Sequence, residues 1–263
     1  MRPGEVADRV RTGGRAALSG AYYRVQALNY RYELLAPKKR AGTSAYRSYD
    51  LADSHGDDPL LTALLSRIAA GEVVVDVGAN TGGYALAVAT VEPSARVIAI
   101  EPDPAIVDRL RRNVALNEVG DRVSVLPVAA GAEAGERSFY RSTYPQLGSL
   151  DRFNAERWGA RIAEVVSVPV EPLDALLAAG RIAPPDHLKV DVEGTGHEVL
   201  AGASGVLDDH RPIVYVEPHA SGPDETDGGG VPATRMRTLL DEREYRVRSV
   251  GDGLLCTPRS ERR

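Results

Sequence analysis

The sequence predicts an α/β protein built on a doubly wound, mostly parallel sheet whose last strand is antiparallel. Three observations predict it. From residue 73 onward, short runs of Val, Ile and Leu alternate with helical segments. The runs are apolar almost throughout, the mark of strands covered on both faces. The last two, YRVRSV (245–250) and GLLCT (253–257), are joined by Gly-Asp-Gly, a turn so short that they must pair antiparallel.

The elements follow in order. Residues 15–35 place Leu18, Tyr22, Val25, Leu28 and Tyr32 at helical spacing, and Pro37 with the basic run after it breaks the pattern. Residues 42–58 are polar and read as loop. Pro59 opens a helix that Gly71 stops. Residues 73–77 form the first strand and 84–90 a helix. Residues 95–102 are a strand, 104–117 a helix capped by Asn117, and 122–130 the third strand. Residues 136–141 and 165–170 are excursion strands, and 173–180 is a short helix. HLKVDVEG (187–194) is the fourth main strand, followed by a helix over 197–207 interrupted at Gly202 or Gly205. Residues 212–219 are a strand and 233–244 a helix. SGPDETDGGG (221–230) reads as a surface loop. Each crossover is expected to be right-handed. The division expected is a helical cap or arm over 1–58 and the α/β domain over 59–263.

A chain of 263 residues, 43% hydrophobic, can bury one substantial core. The single Cys256 excludes a disulfide framework and a Cys-rich zinc site. No apolar run nears the roughly 18 residues of a membrane span, and the N-terminus lacks a signal peptide's apolar core. The expectation is a soluble, cytoplasmic protein. Charge is uneven: residues 1–40 hold nine Lys/Arg against three acids, a local +6 that leaves −11 for the rest. An acidic body argues against a nucleic-acid partner. The basic arm suits an anionic membrane surface or acidic glycan, or else is a solvated cap.

In a doubly wound sheet, ligands bind beyond the carboxyl ends of the strands. The loop after the first strand is Gly78-Ala79-Asn80-Thr81-Gly82-Gly83. A dinucleotide loop needs a second glycine where Asn80 stands. Asp76 would repel a pyrophosphate but suits a ligand carrying an ammonium and a sulfonium, namely S-adenosylmethionine. Glu101 ends the next strand, where a carboxylate can take both ribose hydroxyls. Asp76, Gly78, Asn80, Gly82, Glu101, Pro102, Asp103 and Asp191 are therefore candidate cofactor contacts, with Val128 and Ala129 bordering the adenine.

This layout is that of Rossmann-like class I methyltransferases with a seven-stranded sheet. The motifs DVGANTG (76–82), EPDP (101–104), LGSL (147–150), LKVDVEG (188–194), VLAGA (199–203) and VEPH (216–219) together resemble the FkbM family of S-adenosylmethionine-dependent methyltransferases. The resemblance covers roughly residues 60–220. It implies O-methylation of a hydroxyl, with a sugar of a glycan, lipid-linked saccharide or glycosylated metabolite favoured and polyketide-type hydroxyls also allowed. One departure stands out: the acid usual two residues after the VEG glycine is Gly196 here, followed by His197 and Glu198.

Period-2 alternation puts Lys189, Asp191 and Glu193 on one strand face, and VEPH puts Glu217 and His219 at the end of the neighbouring strand. Such groups on an apolar strand are paired or functional. Either they form a structural ion-pair network, or Asp191 or His219 is a general base while Glu193 and Glu217 bind acceptor hydroxyls. His219 is the more natural base by its ordinary pKa. A Mg²⁺ or Mn²⁺ ion is conceivable on these groups but not expected. Ser149 is either near the methionine end or a loop serine. Competing readings are methyl esterification of a uronic acid carboxylate, which needs no base; an NAD-dependent oxidoreductase or epimerase, opposed by Asp76; a non-catalytic S-adenosylmethionine-binding protein; and a nucleic-acid base methyltransferase, opposed by the acidic body.

Overall fold

The computed structural model describes residues 20–52, 56–219 and 231–259. Leu18 and the 221–230 segment lie outside them. The first element is helix α1, residues 20–32. Its apolar stripe does not face the core. Tyr22, Val25, Leu28 and Tyr32 are 36–57% exposed, and Leu34 and Leu35 beyond them are exposed too. The polar side is the buried one. Gln26 Nε2 and Asn29 Nδ2 donate to the Tyr49 carbonyl at 3.0 and 2.6 Å, and the Tyr30 hydroxyl donates to Asp50 at 2.8 Å. The facing surface offers carbonyls and a carboxylate, which only amide and hydroxyl side chains can satisfy.

The stretch read as basic break and polar loop is a hairpin, β1 (Lys38–Ala41) and β2 (Ser44–Arg47), closed by a two-residue turn with Gly42 at φ 54°. Alternating burial of Lys39 and Ala41 fixes its register. Helix α2 (Pro59–Leu65) starts on an Asp58 cap and ends six residues before Gly71.

The parallel core follows the predicted order: β3 (Val73–Val77), α3 (Gly83–Val91), β4 (Arg96–Ile100), α4 (Pro104–Leu116) and β5 (Val123–Leu126). The third strand is shorter than predicted because Pro127 cannot donate to a ladder. The chain then leaves the main sheet as β6 (Ala129–Ala130), β7 (Gly135–Ser142) and β8 (Ile162–Glu171), a separate three-stranded sheet. Between β7 and β8 lie a 3₁₀ turn at Pro145–Leu147, helix α5 (Arg152–Ala155) and a second 3₁₀ turn at Arg157–Gly159. Then come α6 (Leu173–Ala178), β9 (His187–Val190), α7 (Gly196–Ala201), a π-helical turn at Val206–His210, β10 (Ile213–Val216), α8 (Val231–Glu242), β11 (Tyr245–Val250) and β12 (Gly253–Pro258). The break between α7 and the π-helical turn falls at Gly202–Ala203, as the glycines predict.

The main sheet has seven strands in the order β11-β12-β10-β9-β3-β4-β5. Strands β3, β4, β5, β9 and β10 are parallel, and β12 runs antiparallel between β10 and β11. Gly253 pairs with Val250, so the final turn is two residues, Gly251-Asp252, not three. One apolar layer packs on each face. Val75, Val77, Leu188, Val214, Leu200 and Leu240 fill one; Val74, Leu61, Leu86, Leu110 and Tyr215 fill the other. Strand order reverses between β3 and β9, so their carboxyl ends meet at the switch point, where an open-sheet protein binds its ligand. Among the described residues no helix is long and apolar enough to cross a membrane.

Candidate functional site

Two glycines bring the switch point together. Gly78, at φ 77°, lies so close to β9 that a Cβ there would sit 1.8 Å from the Asp191 carbonyl oxygen. Gly82, at φ 98°, turns the chain into α3, and a Cβ there would sit 2.5 Å from Leu110 Cδ1. Gly82 therefore seats α3 on α4 and does not line the cleft that opens here.

The cleft encloses about 700 Å³ of empty space, part of it open to solvent. Of the predicted residues, Gly78, Asn80, Glu101, Pro102, Asp103, Val128, Ala129, Asp191 and Glu193 line it. Glu101 is held rather than solvated: its two oxygens accept the backbone N–H groups of Asn80 at 3.0 Å and Asp103 at 2.9 Å. Burial pushes its carboxyl up to about 7, against those two donors. Each oxygen keeps acceptor capacity for a ligand hydroxyl. Asp103 caps α4 and pairs with Arg141 at 3.0 Å.

The opposite wall was missed in the sequence. Phe139, Pro145, Gln146, Gly148 and Leu150, from the excursion sheet, line it with Ile106 and Thr195. Only LGSL hinted at this wall. Its Ser149 also lines the cleft and donates to the Glu193 carbonyl at 2.7 Å.

Asp76 lies deeper. It is fully buried within β3 and does not line the cleft; its Oδ1 lies 3.2 Å from Lys189 Nζ. Lys189 is buried between Asp76 and Asp191, at 3.2 Å from each, with its ammonium 4.7 Å from the centre of the Tyr84 ring. Burial opposes its charge, but Asp191 and Asp76 hold it above the ordinary lysine value. Lys189 therefore neutralises two carboxylates, and its ammonium donates to the Gly78 carbonyl at 3.2 Å.

The strand itself ends at Val190, so Asp191 and Glu193 are not on one strand face; Gly194, at φ 79°, already belongs to the turn. They still converge with Glu217 and His219. His219 Nε2 is 2.8 Å from Asp191 Oδ1, and its Nδ1 is 3.6 Å from Glu193 Oε2. Burial would lower the imidazole, but the Asp191 hydrogen bond and charge outweigh it and push His219 up to about 9. At neutral pH it is an imidazolium, so its ordinary pKa misled the assignment of a ready base. Burial likewise opposes ionisation of Asp191, yet Lys189 and His219 keep it well below the usual carboxylate range. Burial first, then the Asp191 charge, push Glu217 up to about 7; its Oε1 lies 3.4 Å from the Tyr84 hydroxyl, which donates to Asp58 at 2.7 Å. Asp191, Glu217 and His219 each bring one ligand atom within 4.8 Å of the others, so a divalent cation would find donors.

The departure at Gly196 has a local cause. A Cβ there would lie 3.0 Å from Met236 Cε, so α8 occupies the space of the usual side chain. Glu198, two residues on, pairs with Arg137 at 2.5 Å. His197 is half-buried.

Residues 76–247 match the model of the Methyltransferase FkbM domain. The chain belongs to the FkbM methyltransferase family. It is 32% identical over 174 residues to the hexuronic acid methyltransferase AglP of Haloferax volcanii, covering 65% of each chain. It is 26% identical over 156 residues to the 2-O-methyltransferase NoeI of Sinorhizobium fredii, covering 55% of this chain and 62% of that one. The match thus spans a little under two thirds of the length of these relatives. A crystal structure of an FkbM methyltransferase from Methylobacillus flagellatus superposes with a TM-score of 0.52 at 19% identity, over 75% of this chain and 48% of that one. The Rossmann-like class I sheet of the FkbM methyltransferases is the fold found here.

Proposed function

We propose that this FkbM methyltransferase moves a methyl group from S-adenosylmethionine to a hydroxyl of a saccharide. The cofactor fits the residues present. Glu101 offers two anchored oxygens for ribose hydroxyls, Val128, Ala129, Ile106 and Phe139 form an apolar slot for adenine, and the acids Asp191 and Glu193 face the end where a sulfonium belongs. The bound cofactor supplies an electrophilic methyl carbon. The protein's own work is to orient the acceptor oxygen, an advantage of about 7–11 kcal/mol in well-aligned systems, and to take its proton. Two relatives bear names that specify a hexuronic acid acceptor and O-methylation. A divalent cation is not part of this reading, because Lys189 and the His219 proton already offset the local acids.

The observation that carries the base assignment is the Asp191–His219 pair: Asp191 lines the cleft, and His219, outside its lining, meets it at 2.8 Å. In its neutral form His219 accepts the hydroxyl proton, and Asp191 stabilises the imidazolium that results. The resting imidazolium must first lose its proton. For a hydroxyl acceptor, log kcat/KM measured with labelled methyl donor and a uronic-acid-containing saccharide should rise with pH and level off near pH 9. A flat profile would favour esterification of the uronic carboxylate, which needs no base.

Residues 1–58 act as a cap on the 59–263 domain, in a cytoplasmic protein. The exposed stripe of α1, flanked by exposed Arg24 and Arg31 and preceded in sequence by four further arginines, is a basic, apolar face on an acidic chain. It suits an anionic bilayer, and its own charge opposes pairing with a second copy. The full chain should sediment with vesicles containing phosphatidylglycerol and not with pure phosphatidylcholine. A Val25→Asp/Leu28→Asp protein should lose that binding while keeping its melting temperature; equal sedimentation of both proteins would remove the bilayer from the account.

A further inference from the structure

Trp158 is the chain's one tryptophan and has no place in the core. It is 66% exposed, in the 3₁₀ turn between α5 and β8. Its backbone is left-handed, with φ 55° and ψ 26°. A bulky aromatic residue rarely adopts that conformation, and strain of this kind concentrates at functional sites. Two unfavourable features, strain and an exposed indole, thus coincide at one residue.

Its position supplies the reason. The guanidinium of Arg157 lies 5.2 Å from the centre of the indole. That same group is 3.3 Å from Asn154 Oδ1 and 4.0 Å from Glu193 Oε2. Glu193 lines the cleft and lies 3.6 Å from His219 Nδ1. Arg157 and Glu193 thus link the indole to the imidazole, and Trp158 lies in the same β7–β8 connection whose residues 145, 146 and 148–150 line the cleft.

We propose that Trp158 is a stacking platform for a pyranose ring of the acceptor. A pyranose presents an apolar C–H face and a rim of hydroxyls. The face matches a flat, rigid indole, which gives large contact area at little entropic cost. The rim hydroxyls reach Arg157 and Glu193, which orient the ring toward His219. Trp158 is thus a specificity residue that binds acceptor and does not touch the methyl donor. The inference rests on the saccharide reading above and names the subsite where that saccharide sits.

The test uses the full chain saturated with S-adenosylhomocysteine. Indole fluorescence comes from Trp158 alone, and methyl glucuronoside and methyl glucoside are the probes. Either sugar should shift the emission in a saturable way. In Trp158→Gly, KM for a methylated saccharide should rise about tenfold with kcat nearly unchanged. S-adenosylhomocysteine affinity should hold, and the melting temperature should stay or rise because glycine relieves the left-handed strain. Trp158→Phe should restore much of the KM. An unchanged KM in Trp158→Gly, or a fall in melting temperature and cofactor affinity together, would overturn the platform and leave the saccharide reading standing. A wild-type protein that methylates no saccharide would overturn both.

Discussion

Asp191→Asn should lower kcat by about 10²–10⁴-fold, the range a general base contributes, because His219 loses the carboxylate that orients it and stabilises its charged form. The carboxylate has three tasks at once. It lines the cleft, accepts the His219 Nε2 proton at 2.8 Å, and pairs with buried Lys189 at 3.2 Å. An amide keeps the shape and loses the charge. His219 should then fall from about 9, because the hydrogen bond and charge that raise it are both weakened. The limb of the pH–rate profile should move to lower pH as kcat drops, a pairing that a fold defect would not produce. The stability loss should stay below the about 3–5 kcal/mol of a fully broken buried pair, since Asp76 still neutralises Lys189. Linkage gives the sign for the wild type. The folded imidazole titrates near 9 rather than 6.5, so the Asp191–His219 pair stabilises the fold fully below pH 6.5 and loses that contribution as pH rises through 9. Urea denaturation of wild type and Asp191→Asn at pH 6 and pH 10 would read it as a difference that shrinks at the higher pH.

Gly78→Ala should lower stability by about 3 kcal/mol or more, adding left-handed strain to overpacking, and should remove cofactor binding. The methyl has nowhere to go: its nearest neighbour is the Asp191 carbonyl at 1.8 Å, which is backbone and cannot rotate away. Relief requires β3 and β9 to part at their carboxyl ends. That motion would displace Asp191 and the Asn80 N–H that positions Glu101. Thermal melts with and without S-adenosylhomocysteine would show a lower melting temperature and no ligand-induced rise. An alanine at exposed Gly71, which also has positive φ but nothing within 4 Å, should cost strain alone and keep binding.

The parallel core was legible because its strands are rich in Val, Ile and Leu and its helices begin at Asp-Pro or end near Asn and Gly. Asp58 and Asp103 cap α2 and α4 as those pairs suggest. The converging acids were legible too, since Lys189 and Asp191 have no apolar reason to be on β9 and its end. The α1 face was not. Periodicity reports where apolar residues fall on a helix but not what the neighbouring surface offers, and here that surface offers the Tyr49 carbonyl and Asp50. The β1–β2 hairpin escaped because its buried positions include Lys39, whose ammonium donates to the Ala52 carbonyl at 2.6 Å. The contact of Asp76 with Lys189 left no sequence signal, because it joins neighbouring strands more than a hundred residues apart. The cleft's second wall is built by β7, β8 and their loops, whose pairing spans more than twenty residues and leaves no local mark.

The most direct measurement is calorimetric titration of S-adenosylmethionine into the wild-type chain, beside NAD. The account predicts micromolar, one-to-one binding of S-adenosylmethionine and none of NAD. Binding that NAD shares, or no binding of S-adenosylmethionine to the folded protein, would contradict it.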